Sequence, residues 1–103
     1  EKQNKLKNKM GFASPAEVKK AIDNGAIIID CRTPAEFQAQ HHPKAINIPL
    51  QEIAESKLPK DKNAPVVLHC RSGARSGVFL TQMQQMGYTN AMNAGGLDEI
   101  MKY

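Results

Sequence analysis

Several features common in other classes of protein are missing from this sequence of 103 residues, which has no tryptophan and only two cysteines, Cys31 and Cys70. The longest apolar runs, at residues 26–29 and 65–68, are far too short to cross a bilayer, so we expect a soluble protein without a membrane span. Two cysteines outside any Cys-x-x-Cys pair exclude a disulfide framework and offer no zinc-knuckle or thioredoxin-type motif. The length suits one compact domain.

Positive charge is concentrated at the start of the chain. The sequence has 14 Lys and Arg against 10 Asp and Glu, for a net charge of +4. Residues 1–9 contain four lysines and one glutamate, so the rest of the chain is close to neutral. We therefore predict a flexible basic tail over residues 1–9, a single domain over residues 10–103 and no nucleic-acid partner.

Helix and strand signals alternate along the chain. A capping box with proline at the first helical position predicts a helix over residues 15–24, and a second box at Thr33 predicts another. Further signals predict strands at residues 26–30, 45–48, 65–70 and 89–94 and helical segments at residues 50–56, 76–87 and 97–102. This alternation is typical of an α/β fold, in which a parallel sheet lies between helices and ligands bind beyond the carboxyl ends of the strands. Cys70 ends one such strand, and Cys31 follows another.

The segment from Cys70 to Ser76 favours a thiolate. A strand stops there, a short loop containing Gly73 follows, and a helix begins near Ser76, so backbone N–H groups and the positive end of the helix point into the loop. Arg71 and Arg75 add two positive charges, and the loop contains no acidic residue. These features predict a lowered pKa for Cys70 and an accessible, reactive sulfur beside an anion pocket. The alternative, a small buried residue at a strand end, requires none of them.

The loop Cys70-Arg71-Ser72-Gly73-Ala74-Arg75-Ser76 resembles the active-site loop of the rhodanese (sulfurtransferase) family. Other signatures of that family are similar to Ile29-Asp30-Cys31-Arg32, to the stretch from Glu36-Phe37 to Pro49, and to Gly95-Gly96. These segments occur in the family's order over roughly residues 12–100. Residues 86–97 are most similar to the single-domain, phage-shock-type rhodaneses of bacteria, which are usually exported to the periplasm; the cytoplasm is the alternative location.

The resemblance implies a five-stranded parallel sheet between helices and a two-step sulfur transfer that needs no metal or organic cofactor. Cys70 is then the catalytic nucleophile, which takes the outer sulfur of a donor such as thiosulfate as a persulfide and passes it to cyanide or a thiol. The resemblance assigns substrate binding to Arg71, Ser72, Gly73, Ala74 and Arg75, with backbone N–H groups around the terminal sulfur and Arg71 near the sulfonate. The partners are small molecules, and an exposed site would also admit a protein thiol.

A second group of residues is predicted to support the loop: Asp30, Arg32, Glu36 and Ser76. Arg75 has two interpretations, because it either binds the donor anion or braces the loop through an ion pair with Asp30 or Glu36. We favour the brace, since those acids lie on the same side of the predicted sheet. Breaking a buried pair of this kind would cost about 3–5 kcal/mol.

Cys31 stands where the family commonly has valine, on a strand that neighbours the strand of Cys70. We expect a buried side chain of valine size. The alternative is a thiol that resolves an oxidised or persulfidated Cys70 into a disulfide. The three histidines and two cysteines fit no known zinc-ligand spacing, so no metal site is predicted.

Two other functions compete with sulfur transfer. Cysteine phosphatases and arsenate reductases also wrap a loop between a cysteine and an arginine at a helix start, but the related phosphatases use a longer loop than the four residues found here. The smaller loop favours sulfur over phosphate. The other alternative is a non-catalytic rhodanese-fold binding module, a class that typically lacks the cysteine or the basic residues present here.

Overall fold

The computed structural model describes residues 12–103, so the tail predicted over residues 1–9 lies outside the described residues. The strands are β1 (Ile27–Asp30), β2 (Ala45–Asn47), β3 (Val66–His69) and β4 (Ala91–Asn93). The helices are α1 (Pro15–Asp23), α2 (Pro34–Ala39), α3 (Ala74–Gln85) and α4 (Leu97–Ile100). Two short 3₁₀ turns, Leu50–Glu52 and Glu55–Lys57, connect β2 to β3. The predicted alternation of strands and helices is confirmed.

The strands form one parallel sheet in the order β2-β1-β3-β4. This confirms the predicted α/β class with a parallel sheet between helices. Beyond β4, Phe12 makes a single parallel bridge to Asn93, and the Ala13 N–H donates to the Asn93 carbonyl oxygen at 2.9 Å. Because one bridged residue is not a strand, the described residues form four strands rather than the predicted five.

Local sequence determines where α1 and α2 begin. The Ser14 hydroxyl accepts the Glu17 N–H at 3.2 Å, and the Glu17 carboxylate accepts the Ser14 N–H at 2.9 Å. Thr33 and Glu36 form the same reciprocal pair at the start of α2. These bonds satisfy N–H groups that a helix end leaves without partners, so both helices start at the proline after the cap, as predicted.

Strand side chains alternate between two apolar layers, as the twofold period of a strand requires. Ile28 and Val67 pack in the layer that contains α1 and α4. Ile29 and Leu68 pack in the opposite layer with α3, whose apolar stripe is core packing as predicted. No helix among residues 12–103 is long and apolar enough to span a bilayer.

The two cysteines come together where β1 and β3 end. Asp30 is the register partner of His69, and the Cys31 N–H donates to the His69 carbonyl oxygen at 2.9 Å. Cys31 and Cys70 therefore follow two neighbouring strands at the carboxyl edge of the sheet. Both side chains are buried in the layer of α3.

Candidate active site

Residues 70–76, called the Cys70 loop below, follow β3 and include the first residues of α3. The Cys70 N–H donates to the Gly95 carbonyl oxygen at 3.1 Å, which fixes the end of β3 against the chain that follows β4. Gly73 has a left-handed backbone with a φ of 104°, a conformation that favours glycine and turns the chain into the helix. The helix begins at Ala74, two residues before the predicted start at Ser76, so its first turn lies close to the sulfur.

Donor groups converge on the Cys70 sulfur. The Gly73 N–H lies 3.0 Å from Sγ, and the N–H and hydroxyl of Ser76 each lie 3.4 Å from it. Burial acts to raise the pKa of Cys70. Hydrogen bonds from the Ser76 hydroxyl and from the N–H groups of Ser76, Ser72 and Gly73 outweigh it, so the pKa lies below its ordinary value. This is the predicted direction, with peptide and hydroxyl donors rather than the two arginines as its main cause.

The Cys70 side chain is less accessible than the sequence analysis expects. Cys70 is 1% exposed, and Gly73 is buried, whereas Arg71, Ser72 and Ala74 are exposed. The expectation of an open, exposed sulfur is therefore wrong for this conformation. The physical reason is that the short loop curls tightly enough to bring its N–H groups against the sulfur. The thiol lies directly beneath a surface loop.

Asn93 holds this loop in place, a role that is not among those predicted from the sequence. Its amide NH₂ donates to the Gly73 carbonyl oxygen at 2.9 Å, and its amide oxygen accepts the Ser76 hydroxyl at 2.7 Å and the Gly95 N–H at 3.0 Å. The side chain is fully buried at the carboxyl end of β4. A polar residue that ends a strand just before a glycine pair is the signal that points to it.

The glycine pair after β4 allows a second chain segment to pack against the Cys70 loop. A Cβ on Gly96 would collide with the Arg71 carbonyl oxygen, and Ser72 forms an antiparallel bridge to Gly96. A Cβ on Gly73 would collide with the Phe12 ring. Position 96 therefore accepts only glycine without displacing the loop.

Arg75 is directed toward Glu36 in α2. The two groups form a bidentate pair, with Nη1 to Oε1 at 2.7 Å and Nη2 to Oε2 at 3.1 Å. Hydrogen bonding to Arg75 lowers the pKa of Glu36 to about 2. The contact agrees with the bracing interpretation of Arg75, although the side chains are 34% and 25% exposed rather than buried.

Asp30 and Arg32 form a second, fully enclosed pair beneath the loop. Arg32 Nη2 lies 2.6 Å from Asp30 Oδ2, and the same nitrogen donates to the Gln40 carbonyl oxygen at 2.6 Å. His69 Nε2 lies 3.7 Å from the same Asp30 oxygen and has no hydrogen-bond partner among the described residues. Burial lowers the pKa of His69. The four predicted supporting residues thus occupy this edge of the sheet, with Ser76 alone in contact with the sulfur.

Arg71 lies on the outer side of the loop, where it lines a polar cleft of about 370 Å³. The remaining lining residues come from α2 with its flanking residues and from α4: Arg32, Glu36, Ala39, Gln40, Leu97 and Asp98. This volume, called the Arg71 cleft below, is a space next to the Cys70 loop that is large enough for a small anion.

Cys31 is buried, in agreement with the first of its two interpretations. Burial, followed by the proximity of Cys70, raises its pKa, so it is a protonated thiol with little nucleophilic character. His41 lies at the end of α2, where it stacks on Phe37 with 3.8 Å between ring centroids and bonds the Phe37 carbonyl oxygen. Within residues 12–103 no group of three or more side chains is arranged to hold a metal ion.

Comparison with known proteins identifies relatives of this chain. The rhodanese-like domain profile matches residues 14–102. Thiosulfate sulfurtransferase PspE of Escherichia coli is 43% identical over 74 residues, which is 70% of this chain and 71% of the relative. A sulfurtransferase of Allochromatium vinosum is 39% identical over 72 residues, 68% of this chain and 65% of the relative.

Solved structures show the same fold. The structure of a rhodanese with anions from E. coli superposes with a TM-score of 0.68 at 39% identity, covering 73% of this chain and 91% of that one. The human single-domain sulfurtransferase TSTD1 gives a TM-score of 0.74 at 26% identity, covering 89% of this chain and 96% of that one. Single-domain sulfurtransferases are thus among the proteins similar to this chain in both sequence and architecture.

Proposed function

The chain belongs to the rhodanese-like domain family, and from this premise we propose that it is a thiosulfate sulfurtransferase that carries the transferred sulfur as a persulfide on Cys70. Its substrates are a sulfane-sulfur donor such as thiosulfate and a thiophilic acceptor, either cyanide or a thiol. The relatives named as sulfurtransferases support this choice. So does the arrangement of donors around one sulfur atom.

In the first half-reaction the Cys70 thiolate attacks the outer sulfur of thiosulfate. A sulfur–sulfur bond forms to Cys70, the bond between the two thiosulfate sulfurs breaks, and its electron pair leaves with sulfite. The lowered pKa of Cys70 favours the thiolate that makes this attack. Arg71, exposed at the loop surface, is the cation that attracts the sulfonate.

In the second half-reaction the acceptor attacks the terminal sulfur of the persulfide. The new bond forms to the acceptor, the Cys70 sulfur–sulfur bond breaks, and its electron pair returns to the cysteine sulfur. The N–H groups of the Cys70 loop are fixed in place before either step, so they stabilise negative sulfur without reorganisation. Ser72, Gly73, Ala74 and Arg75 contribute through this backbone, and Arg75 also anchors the loop through Glu36.

The observation that carries the proposal is the set of three donors on Cys70 Sγ, at 3.0, 3.4 and 3.4 Å. A merely structural cysteine has no need of an N–H and a hydroxyl from the first turn of a helix. Only four residues separate Cys70 from Arg75, fewer than in the related phosphatases, which argues against the phosphatase or arsenate reductase alternative. The intact cysteine and loop argue against a non-catalytic binding module.

Intact-mass measurement after exposure to thiosulfate tests the proposal. Wild-type protein should gain one sulfur atom, and cyanide should then remove it with the formation of thiocyanate. Cys70→Ser should gain nothing. Cys31→Ala is the matched control, because it removes the other thiol and should still gain the atom.

Two results would overturn the proposal. One is the absence of a sulfur adduct on the wild-type protein under conditions that load a known rhodanese. The other is turnover of an aryl phosphate without any thiocyanate, which would favour phosphatase chemistry. The proposal also includes a periplasmic location, on the resemblance to exported single-domain rhodaneses, and fractionation of cells that produce the native protein checks it.

A further inference from the structure

The Arg71 cleft contains two charges that no other residue of the described range 12–103 neutralises. Its charged lining residues are Arg32, Glu36, Arg71 and Asp98. The first two are held in the ion pairs described above. Arg71 and Asp98 are exposed, and neither has an ion pair or side-chain hydrogen bond within the described part of the chain. One cation and one anion therefore remain available to a ligand.

The fold brings these two residues to the same wall of the cleft. Gly96 packs against the carbonyl group of Arg71, and the chain bridges from Ser72 to Gly96. The helix α4 begins at Leu97, so Asp98 lies in its first turn beside the Cys70 loop. The pair thus lies beside the loop that carries the sulfur of the proposed reaction.

We propose that the sulfur acceptor is a small thiol of the amino-acid type, bound with its carboxylate on Arg71 and its ammonium on Asp98. This inference rests on the sulfurtransferase function proposed above and extends it to the class of acceptor. A cleft of about 370 Å³ is large enough for a molecule of the size of cysteine. Two opposite charges in one cleft orient a ligand that carries both charges, as well as attract it.

The transfer step is balanced without a further reagent. The bound thiol loses its proton to solvent, and its sulfur attacks the terminal sulfur of the Cys70 persulfide. The bond to Cys70 breaks, the electron pair returns to Cys70 as thiolate, and the acceptor leaves as a persulfide. Sulfite departs before the acceptor binds, so Arg71 can serve the donor sulfonate first and the acceptor carboxylate second.

Four thiols separate the contributions of the two charges. L-Cysteine carries both, cysteamine lacks the carboxylate, 3-mercaptopropionate lacks the ammonium, and 2-mercaptoethanol lacks both. The measured quantity is kcat/KM for each thiol at saturating thiosulfate, expressed as a ratio of variant to wild type, so that the intrinsic reactivity of each thiol cancels. Asp98→Asn should lower the ratio for cysteine and cysteamine by about five-fold, the upper range for an exposed ion pair, and leave 2-mercaptoethanol unchanged.

Charge reversal gives a sharper result. Asp98→Lys should disfavour cysteamine and favour 3-mercaptopropionate, so the preference between these two thiols inverts. Asp23→Asn is the matched control, since it removes one exposed carboxylate from the end of α1, at the amino-terminal edge of the sheet, and should change no ratio. Loading of each variant by thiosulfate, read as intact mass, shows that the protein remains folded and reactive.

Failure of this inference is distinguishable from failure of the proposed function. If the protein loads sulfur but the Asp98 variants treat all four thiols as the wild type does, the acceptor does not bind as proposed. If the wild-type protein loads no sulfur at all, the sulfurtransferase function itself is refuted.

Discussion

Removal of the Ser76 hydroxyl should raise the pKa of Cys70 by about one unit. The hydroxyl oxygen lies 3.4 Å from the sulfur and 2.7 Å from the amide oxygen of Asn93. A hydroxyl has one proton and so donates one hydrogen bond. We expect the Ser76 hydroxyl to donate to the Asn93 amide oxygen when Cys70 is a thiol, and to the sulfur when Cys70 is a thiolate. Hydrogen bonds to charged groups contribute about 1.5–3 kcal/mol. Because the hydroxyl lies as far as 3.4 Å from the sulfur, we take the lower end of this range. At about 1.36 kcal/mol per unit, the pKa rises by about one unit in Ser76→Ala.

The same substitution should leave the fold nearly intact. The Asn93 amide oxygen keeps the Gly95 N–H at 3.0 Å, so no buried polar atom loses every partner. We expect a loss of about 1 kcal/mol in the free energy of unfolding, which denaturant titration measures. The change in reactivity is thus separable from a change in stability.

Alkylation by iodoacetamide as a function of pH is the assay, carried out in a Cys31→Ala background so that only Cys70 reacts. The midpoint of the profile reports the pKa of Cys70 whatever the absolute rate at the buried sulfur. Thr81→Ala is the matched control, because it removes a hydroxyl of the same helix that donates to the Gly77 carbonyl oxygen and not to the sulfur. Coincident midpoints for Ser76→Ala and wild type would refute the argument that this hydroxyl stabilises the thiolate.

Three further substitutions test the surroundings of the loop. Arg75→Ala should reduce the free energy of unfolding by about 1 kcal/mol, less than for a buried pair because the side chain is one-third exposed; turnover lost at an unchanged melting temperature would instead assign the guanidinium to the substrate. Gly96→Ala should lower the free energy of unfolding by about 1–3 kcal/mol and slow the loading of Cys70 by thiosulfate, because its Cβ displaces the Arg71 carbonyl group. An unchanged melting temperature would contradict this. The lowered pKa of His69 means that the unfolded chain takes up the proton first, so stability should fall as the pH drops below about 6.5. Replacing His69 by Asn should flatten that dependence in denaturation curves, and an unchanged dependence would contradict the argument.

Local chemistry made much of the fold predictable. The caps at Ser14 and Thr33 act within three residues of themselves, and both helices begin where the sequence indicates. Buried β-branched runs identified β1 and β3, because such residues suit strands covered on both faces. The short edge strands β2 and β4 are one and three residues shorter than predicted, since their ends depend on which neighbours pair with them.

The details of the site depend on contacts between distant segments, which periodicity does not reveal. Asn93 acts on residues 17 and 20 positions before it, so its position before the glycine pair singles it out but does not reveal which residues it bonds. From the sequence, either Asp30 or Glu36 could be the ion-pair partner of Arg75. Glu36 is the partner because of where α2 lies in the fold. The burial of Cys70 likewise follows from how tightly the loop curls, which the residue types alone leave open.

Glu36 makes the start of one helix depend on the anchoring of another. Its Oε1 atom accepts the Thr33 N–H at 3.1 Å, as the cap of α2, and also accepts the Arg75 guanidinium at 2.7 Å. Protonation or loss of this single carboxylate therefore removes two contacts at once, the cap of α2 and the ion pair that anchors the Cys70 loop. Aspartate is one methylene shorter and could not reach both partners. A substitution at position 36 therefore affects both helices, α2 through its cap and α3 through Arg75.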